Sequence, residues 1–347
     1  MKTTVGLIGK IGLFGAILVS STVGVAAQEN NDLFAGKEIS LLIGAGAGGG
    51  ADTFARLYGR HAGRHLPGNP TIVPKNLQGA GGMRVANQLF NVSPRTGTEI
   101  GTFGTSGALQ PLFRNAKAKY DTVRFTWIGN MDSDASLCGT WKHTGIKSWQ
   151  DLKNRETRFG AGGIVSATSV HPRVVGELLG VKVKVIHGYQ GTKASNLAMQ
   201  RGETDGICGL IISTVRTAFQ SQVKSGDLTV WMTFGKKRSR DFPDVPTVYE
   251  VVKNENDRML AELLFSQDEI GRTLAGPPGL SAAVATAFRR GFDATMKDPA
   301  LLTEAKRLRL EIEPMTGEET EAQFRKFFAF PAPVVNRLKG IINAKKK

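Results

Sequence analysis

Cysteine is nearly absent: Cys138 and Cys208 are the only two in 347 residues. They form no Cys-x-x-Cys pair and fit no Cys/His zinc spacing, which excludes the common structural zinc modules. One pair allows a single intramolecular disulfide, and two buried small apolar residues are the alternative. No Gly-x-Ser-x-Gly elbow occurs, because Gly104-Thr-Ser106-Gly107 lacks the spacing. His61 and His65 stand four apart, but no glutamate follows His61, so the helical zinc-protease motif is missing too. Beyond residue 27 no segment approaches the ~18 apolar residues of a membrane span. Acid is missing from a long internal stretch, with no Asp or Glu between Asp52 and Glu99.

The first 27 residues read as a secretory leader. Lys2 and Lys10 make a basic start, Ile11 to Val19 is apolar or glycine throughout, and Val25-Ala26-Ala27 precedes Gln28 as a small-residue cleavage pattern. Removing two lysines and no acid takes the formal charge from +15 to 15 − 2 = +13. That excess, outside the cytoplasm, favours anionic solutes or surfaces. Nucleic acid is not expected as a partner, since the protein is exported and its basic residues are dispersed.

What the chain has in abundance is glycine. Ile39, Leu41, Leu42 and Ile43 read as a buried strand, which breaks into five glycines in seven positions (Gly44, Gly46, Gly48, Gly49, Gly50). A helical pattern follows through Ala51, Ala55, Tyr58, Ala62 and Leu66, with Asp52 in its first turn. A helix start carries unpaired N–H groups and partial positive charge, so this turn is a candidate anion seat. The device recurs: strand Thr71–Asn76 leads to Gly79-Ala-Gly-Gly82 and another helix, and strand Ile100–Gly104 ends in Thr105-Ser106-Gly107. Repeated strand, glycine turn and helix predict an α/β layer fold with a ligand crevice where strands end.

From Trp127 the pattern starts again. Strand Arg158–Ala161 meets Gly162-Gly163 and the hydroxyls Ser166, Thr168 and Ser169, a second anion seat. The following helix should begin near Ser169, since Pro172 belongs in a first turn. His171 there reads either as an acid, base or anion donor, or as packing. Arg56, Arg60 and Arg64 form a stripe that reads either as a guide for an acidic partner or as a solvated face. The last helix, Val334 to Ile342, is amphipathic and should pack back onto its own domain.

Gly44-x-Gly46-x-x-Gly49 matches the dinucleotide fingerprint literally. The reading fails its own test, because the second strand ends Lys75-Asn76 and supplies no acid for the ribose.

In order and spacing, these elements resemble the substrate-binding receptors of tripartite tricarboxylate transporters, the periplasmic Bug-type family. The likeness runs from about Lys37 to Glu319. It is carried by Ala47-Gly-Gly-Gly-Ala-Asp52-x-x-x-Arg56, Lys75-Asn76 with Gly79-Ala-Gly-Gly82, and Phe159-Gly-x-Gly-Gly with Ser166 to His171. Gly188-Tyr-x-Gly191, Arg201-Gly-Glu-x-Asp205, Asp241-Phe-Pro-Asp-Val-Pro-Thr247-x-x-Glu250 and Gly276-Pro-Pro-Gly279 extend it. The chain departs from the usual pattern at Gly44-Ala45-Gly46 and at Pro94-Arg-Thr-Gly-Thr98.

The resemblance implies a two-lobed α/β fold of the periplasmic-binding-protein type. Lobe 1 would comprise 28–130 plus 235–347, lobe 2 would comprise 131–234, and the leader 1–27. It implies a carboxylate ligand, such as a di- or tricarboxylate, trapped by lobe closure and delivered to small and large membrane subunits of a permease. No enzyme activity, cofactor or metal is expected, and a monomer is. A sensory receptor of the same fold and an exported enzyme acting on an organic acid are the alternatives. The matched ligand positions are Gly48, Gly49, Gly50 and Asp52, then Gly81 and Gly82, then Thr105 and Ser106. Gly162, Gly163, Ser166 and Ser169 face them, with Tyr189 and Asp205 at the ligand's distal end.

Overall fold

Strand β1 (Glu38–Ile43) buries Ile39, Leu41 and Ile43 completely on one face and Leu42, at 6% exposure, on the other, so it is covered on both. It lies between two parallel neighbours, β2 (Thr71–Asn76) and β3 (Glu99–Thr102), reached through helices α1 (Gly50–Ala62) and α2 (Met83–Asn91). The structure, a computed structural model, describes residues 1–2, 32–48, 50–162, 166–189 and 191–343. Apart from Met1 and Lys2, the leader expected over 1–27 lies outside the described residues, as do Gly49 and Gly163.

The register sets the geometry of everything downstream. Ile43 pairs with both Asn76 and Thr102, so β1, β2 and β3 end level and their glycine turns meet. After β4 (Thr126–Asn130) the chain leaves this sheet for a second one. That sheet holds β5 (Ser136–Trp141), β6 (Thr157–Ala161), β7 (Val183–His187), β8 (Gly206–Ile211) and β9 (Leu228–Thr233) in the order β7-β6-β8-β5-β9. Helix α3 (Ala167–Leu179) links β6 to β7, and α4 (Gly191–Gln200) links β7 to β8. Helix α5 (Glu255–Phe265) then leads back to β10 (Thr273–Gly276). After α6 (Ala282–Met296) and α7 (Pro299–Arg307), β11 (Met315–Thr316) completes a first sheet of order β11-β4-β10-β3-β1-β2. Helices α8 (Gly317–Phe328) and α9 (Ala332–Asn343) follow. The fold is α/β with two sheets, as expected.

Several local expectations resolve. Cys138 and Cys208 sit opposite each other on β5 and β8, fully buried, and form a disulfide. Helix α3 begins at Ala167 rather than near Ser169 and holds Pro172 inside, so the bond to the carbonyl four residues back is forgone. The arginine stripe on α1 is a solvated face whose members are ion-paired within the chain: Arg56 pairs with Asp52 on its own helix. Arg60 pairs with Glu304 on α7, while Arg64 and His65 both reach Asp298 at its N-cap. Helix α9 does pack on its own chain: Arg337 bridges Glu177 and Asp257, and Arg173 donates to the carbonyls of Ile341 and Ile342.

Candidate functional site

The three level glycine turns are packed on one another before they are open to anything else. A Cβ on Gly44 would lie 3.0 Å from the Gly82 Cα, and one on Gly82 would lie 2.1 Å from the Phe103 carbonyl. Gly82 also holds φ +94°, which favours glycine. These glycines are there first because backbone meets backbone.

In the first glycine turn Asp52 turns back on the turn itself, while Gly44, Ala45 and Ala51 reach the wall of the cavity above it. Asp52, 3% exposed, accepts from the Gly48 N–H at 2.9 Å, from Arg56 Nε at 2.9 and 3.0 Å and from Asn76 Nδ2 at 2.8 Å. Burial alone would raise its pKa, but these donors hold it below the ordinary carboxylate value. Asp52 thus spends both oxygens on its own turn, its helix and the end of β2.

Above the turns a cavity of about 960 Å³ opens between the sheets. Gly81, Thr105 and Ser106 of the sequence-predicted positions line it. Ser106 is exposed there, whereas the Thr105 hydroxyl reaches the carbonyls of Gln267 and Ile270 at 2.9 and 3.2 Å and so tethers that segment to the wall. Gly48, Gly50, Asp52, Gly82, Gly162, Ser166, Ser169, Tyr189 and Asp205 are not on its wall. The Gly162 N–H and the Ser166 hydroxyl both engage Thr168 Oγ1, at 3.4 and 3.0 Å. Ser169, fully buried, faces His187 Nε2 at 2.9 Å and Arg173 at 2.7 Å, away from the cavity. Tyr189, half-buried, donates to Glu203 at 3.1 Å in an exposed contact.

Asp205 is furthest from expectation. It precedes β8, whose other end, Ile211, lines the cavity, so the strand puts roughly 17 Å between them. Its carboxylate is saturated by the Arg158 N–H and guanidinium at 2.7, 3.1 and 2.9 Å and by Arg155 at 3.1 Å.

The charged lining comes instead from the chain's switch between sheets and from the segment entering β10. Asp132 and Asp134 lie between β4 and β5, and Asp268 and Arg272 lie just before β10. Asn130, fully buried, holds the two segments together. Its Nδ2 donates to the carbonyls of Asp132 at 2.8 Å and Glu269 at 3.1 Å, while its Oδ1 accepts from the Arg272 N–H at 2.9 Å.

Arg272 lies over the Phe54 ring at 5.3 Å. Among the described residues its Nε is buried without a hydrogen-bond partner, and its guanidinium donates only to the carbonyl of neighbouring Gly271, at 3.3 Å. Among the described residues it makes no ion pair within 4 Å, although Asp132, Asp134 and Asp268 all bias it electrostatically. A shielded guanidinium with free donors is a carboxylate anchor in waiting.

His171 lines the cavity at 2% exposure, edge-on to Phe234 and Phe265 at 5.7 and 5.1 Å. Burial pulls its pKa down to about 3, so the ring is neutral. Ser136 Oγ meets His171 Nδ1 at 3.2 Å and donates to Asp268 Oδ2 at 2.5 Å. This is not a nucleophile triad, because the serine is fully buried and stands between histidine and carboxylate. It is a brace that sets Asp268. Sequence reasoning did not single out four charged residues of the cavity wall, Arg272, Asp132, Asp134 and Asp268. The one available signal was Asp-Ser-Asp at the junction where one strand pattern ends and the next begins.

Comparison with known proteins adds the family. The sequence model described as "Tripartite tricarboxylate transporter family receptor" matches residues 58–345. A curated Cupriavidus necator protein, "UPF0065 protein in gbd 5'region", is 28% identical over 253 residues, spanning 70% of this chain and 73% of that protein. A ligand-free TctC solute-binding protein from Polaromonas is similar in structure at TM-score 0.70 and 20% identity, over 89% of this chain and 99% of its own. MatC from Rhodopseudomonas palustris, solved with bound malate, gives TM-score 0.56 and 17% identity over 89% and 100%.

Proposed function

The chain belongs to the tripartite tricarboxylate transporter receptor family, solute-binding proteins of two-lobed α/β fold, and we propose that it captures a small organic carboxylate on Arg272. The observation that carries this is Arg272 on the wall of a cavity of about 960 Å³, with no ion pair within 4 Å among the described residues. Ser106 and Gly81, which also line the cavity, supply further polar contacts. The lobes of this reading are 28–130 with 235–347, and 131–234. The protein is exported after loss of residues 1–27, and the captured solute passes to the small and large membrane subunits of a permease. It binds without turnover. The bound malate of MatC is consistent with a carboxylate ligand.

The energies suffice. Micromolar capture needs about −8 kcal/mol, and hydrogen bonds to charged groups contribute ~1.5–3 kcal/mol each. A two-pronged guanidinium contact plus a few hydroxyl and backbone donors reaches that range after ordering costs. Isothermal titration of ligand-stripped protein against mono-, di- and tricarboxylates and amino acids tests the reading. At least one carboxylate-bearing compound should bind, and Arg272→Gln should weaken it about 10- to 100-fold, the loss of one charge-assisted bond. Absence of binding by every such compound would overturn the proposal.

A further inference from the structure

Resting on that reading, we propose that Arg216 and Glu311, neither of which lines the cavity, form a clasp between the bodies built on the two sheets and set how far the cavity opens. The packing around each partner says which body carries it. Arg216 lies in the π-helical turn Val215–Phe219, whose Val215 and Phe219 are buried in one cluster with Leu137, Ile207 and Leu210 of β5 and β8. Glu311 lies between α7 and β11, and its neighbours Leu310 and Ile312 pack against the cluster that holds Ile39, Leu41 and Ile43 of β1. One partner thus moves with the second sheet and the other with the first.

The guanidinium holds an acceptor in each body. Its Nη1 pairs with Glu311, while its Nε donates to Asp241 Oδ2 at 2.9 Å. Asp241 stays with the second sheet, because the adjacent Phe242 packs against the same cluster as Val215. Rotation of one body against the other therefore stretches the Glu311 contact and spares the Asp241 contact. Arg216 keeps an acceptor in either position, so opening strands no arginine. A π-helical turn is rare and recurs at functional positions. Here it follows shortly after Ile211, which lines the cavity.

The clasp sits beside the chain's passage between the sheets. The Ser213 N–H, just before the turn, donates to Asp134 Oδ2 at 3.0 Å, and Asp134 lies in the segment joining β4 to β5. Asp132, in that same segment, is buried on the cavity wall with neither a side-chain hydrogen bond nor an ion pair among the described residues. Burial first, and then Asp134, push Asp132 up to about 7, and Glu311 adds to this, so Glu311 is within electrostatic reach of the wall. A clasp at this edge acts on the angle between the bodies without touching the solute. An exposed pair shifts such an equilibrium roughly two- to fivefold, enough to alter retention of a solute and too little to lock the cavity.

The test uses ligand-free mature protein carrying spin labels at Lys224→Cys and Lys306→Cys. Lys224 ends a helix packed on β9, Lys306 is on α7, both are exposed, and the native cysteines are tied in their disulfide. Electron–electron distance measurement gives the populations of long and short separations. Glu311→Gln should raise the long-to-short ratio about two- to fivefold. Asp241→Asn, which cuts the bond within one body, should change it less, and Glu311→Asp should recover part of the wild-type ratio. In about 1 M salt the screening length falls to about 3 Å, so wild type should move to the Glu311→Gln ratio while that variant stays put. The side chains are 30% and 47% exposed, so melting temperatures should agree and misfolding cannot imitate the shift. An unchanged ratio in Glu311→Gln, or one that Asp241→Asn raises as much, overturns the clasp. No solute is present, so that failure leaves carboxylate capture standing, and failure of every carboxylate to bind leaves the distances to decide the clasp.

Discussion

Asp52 and Asp132 are nearly equally buried, at 3% and 6% exposure, yet their surroundings are opposite. Asp52 gathers Gly48, Arg56 and Asn76 around its oxygens, so it is a structural anion fixed at a helix start. Replacing it should therefore harm the fold and spare the ligand. Asp52→Ala should cost about 2 kcal/mol, the usual scale for a lost cap plus a charge-assisted bond. Denaturant unfolding measures that loss, and ligand affinity measured on the same sample should stay within twofold of wild type. A tenfold loss of affinity would return Asp52 to the binding site.

At the scale of elements, the glycine turns divide into those that pack and those that face the cavity. Gly82 packs: its φ of +94° and a Cβ position 2.1 Å from the Phe103 carbonyl leave no space for a side chain. Gly82→Ala should destabilise by about 3 kcal/mol or more, through backbone strain and a forced shift of the neighbouring turn. Gly81 faces the cavity, with its nearest contact, Ser106 Cβ, at 4.0 Å, so Gly81→Ala should cost about 1–2 kcal/mol for its positive φ alone. Comparing the two variants by chemical denaturation checks the distinction, and equal costs would refute it. The turns themselves were legible in the sequence, because strand, glycine run and amphipathic helix follow from spacing. Which glycine is a packing requirement was not, because that depends on Phe103 arriving from another strand. Helix α3 shows the same limit: the rule for Pro172 placed its start by local preference, and tertiary packing kept the proline inside.

At the scale of the whole molecule, the formal charge of +15 says little about the cleft, whose wall carries more carboxylates than cations. This has a consequence for stability against pH. Asp132 and Asp268 are raised to about 7 in the folded state, while an unfolded aspartate titrates near 3.9. Below ~4 both states hold these protons. Between there and about 7 the unfolded chain releases them first, so the folded state loses relative stability as pH rises. Asp52 and Asp205, whose values are lowered, act in the opposite sense and destabilise the fold as pH falls through the unfolded value. The ligand-free protein should thus melt higher at pH 5 than at pH 8, and Asp132→Asn should flatten that slope. A calorimetric scan across this range decides it, and a midpoint rising from pH 5 to 8 would contradict the assignment.

The sequence by itself determined the family, the α/β class, most strands and helices, and the meeting of three glycine turns at the ends of β1, β2 and β3. Those features follow from periodicity, turn chemistry and order along the chain, which are local. Only the tertiary structure decided which polar groups are spent and which are left over. Asp205 and Asp268 look alike in a sequence, but Arg155 and Arg158 close around the first, while Ser136 engages one oxygen of the second. Arg272 looks like any arginine until folding buries its Nε beside Phe54 with no acceptor. A binding site is made of unsatisfied groups held together, and satisfaction is a property of contacts between segments far apart in the chain.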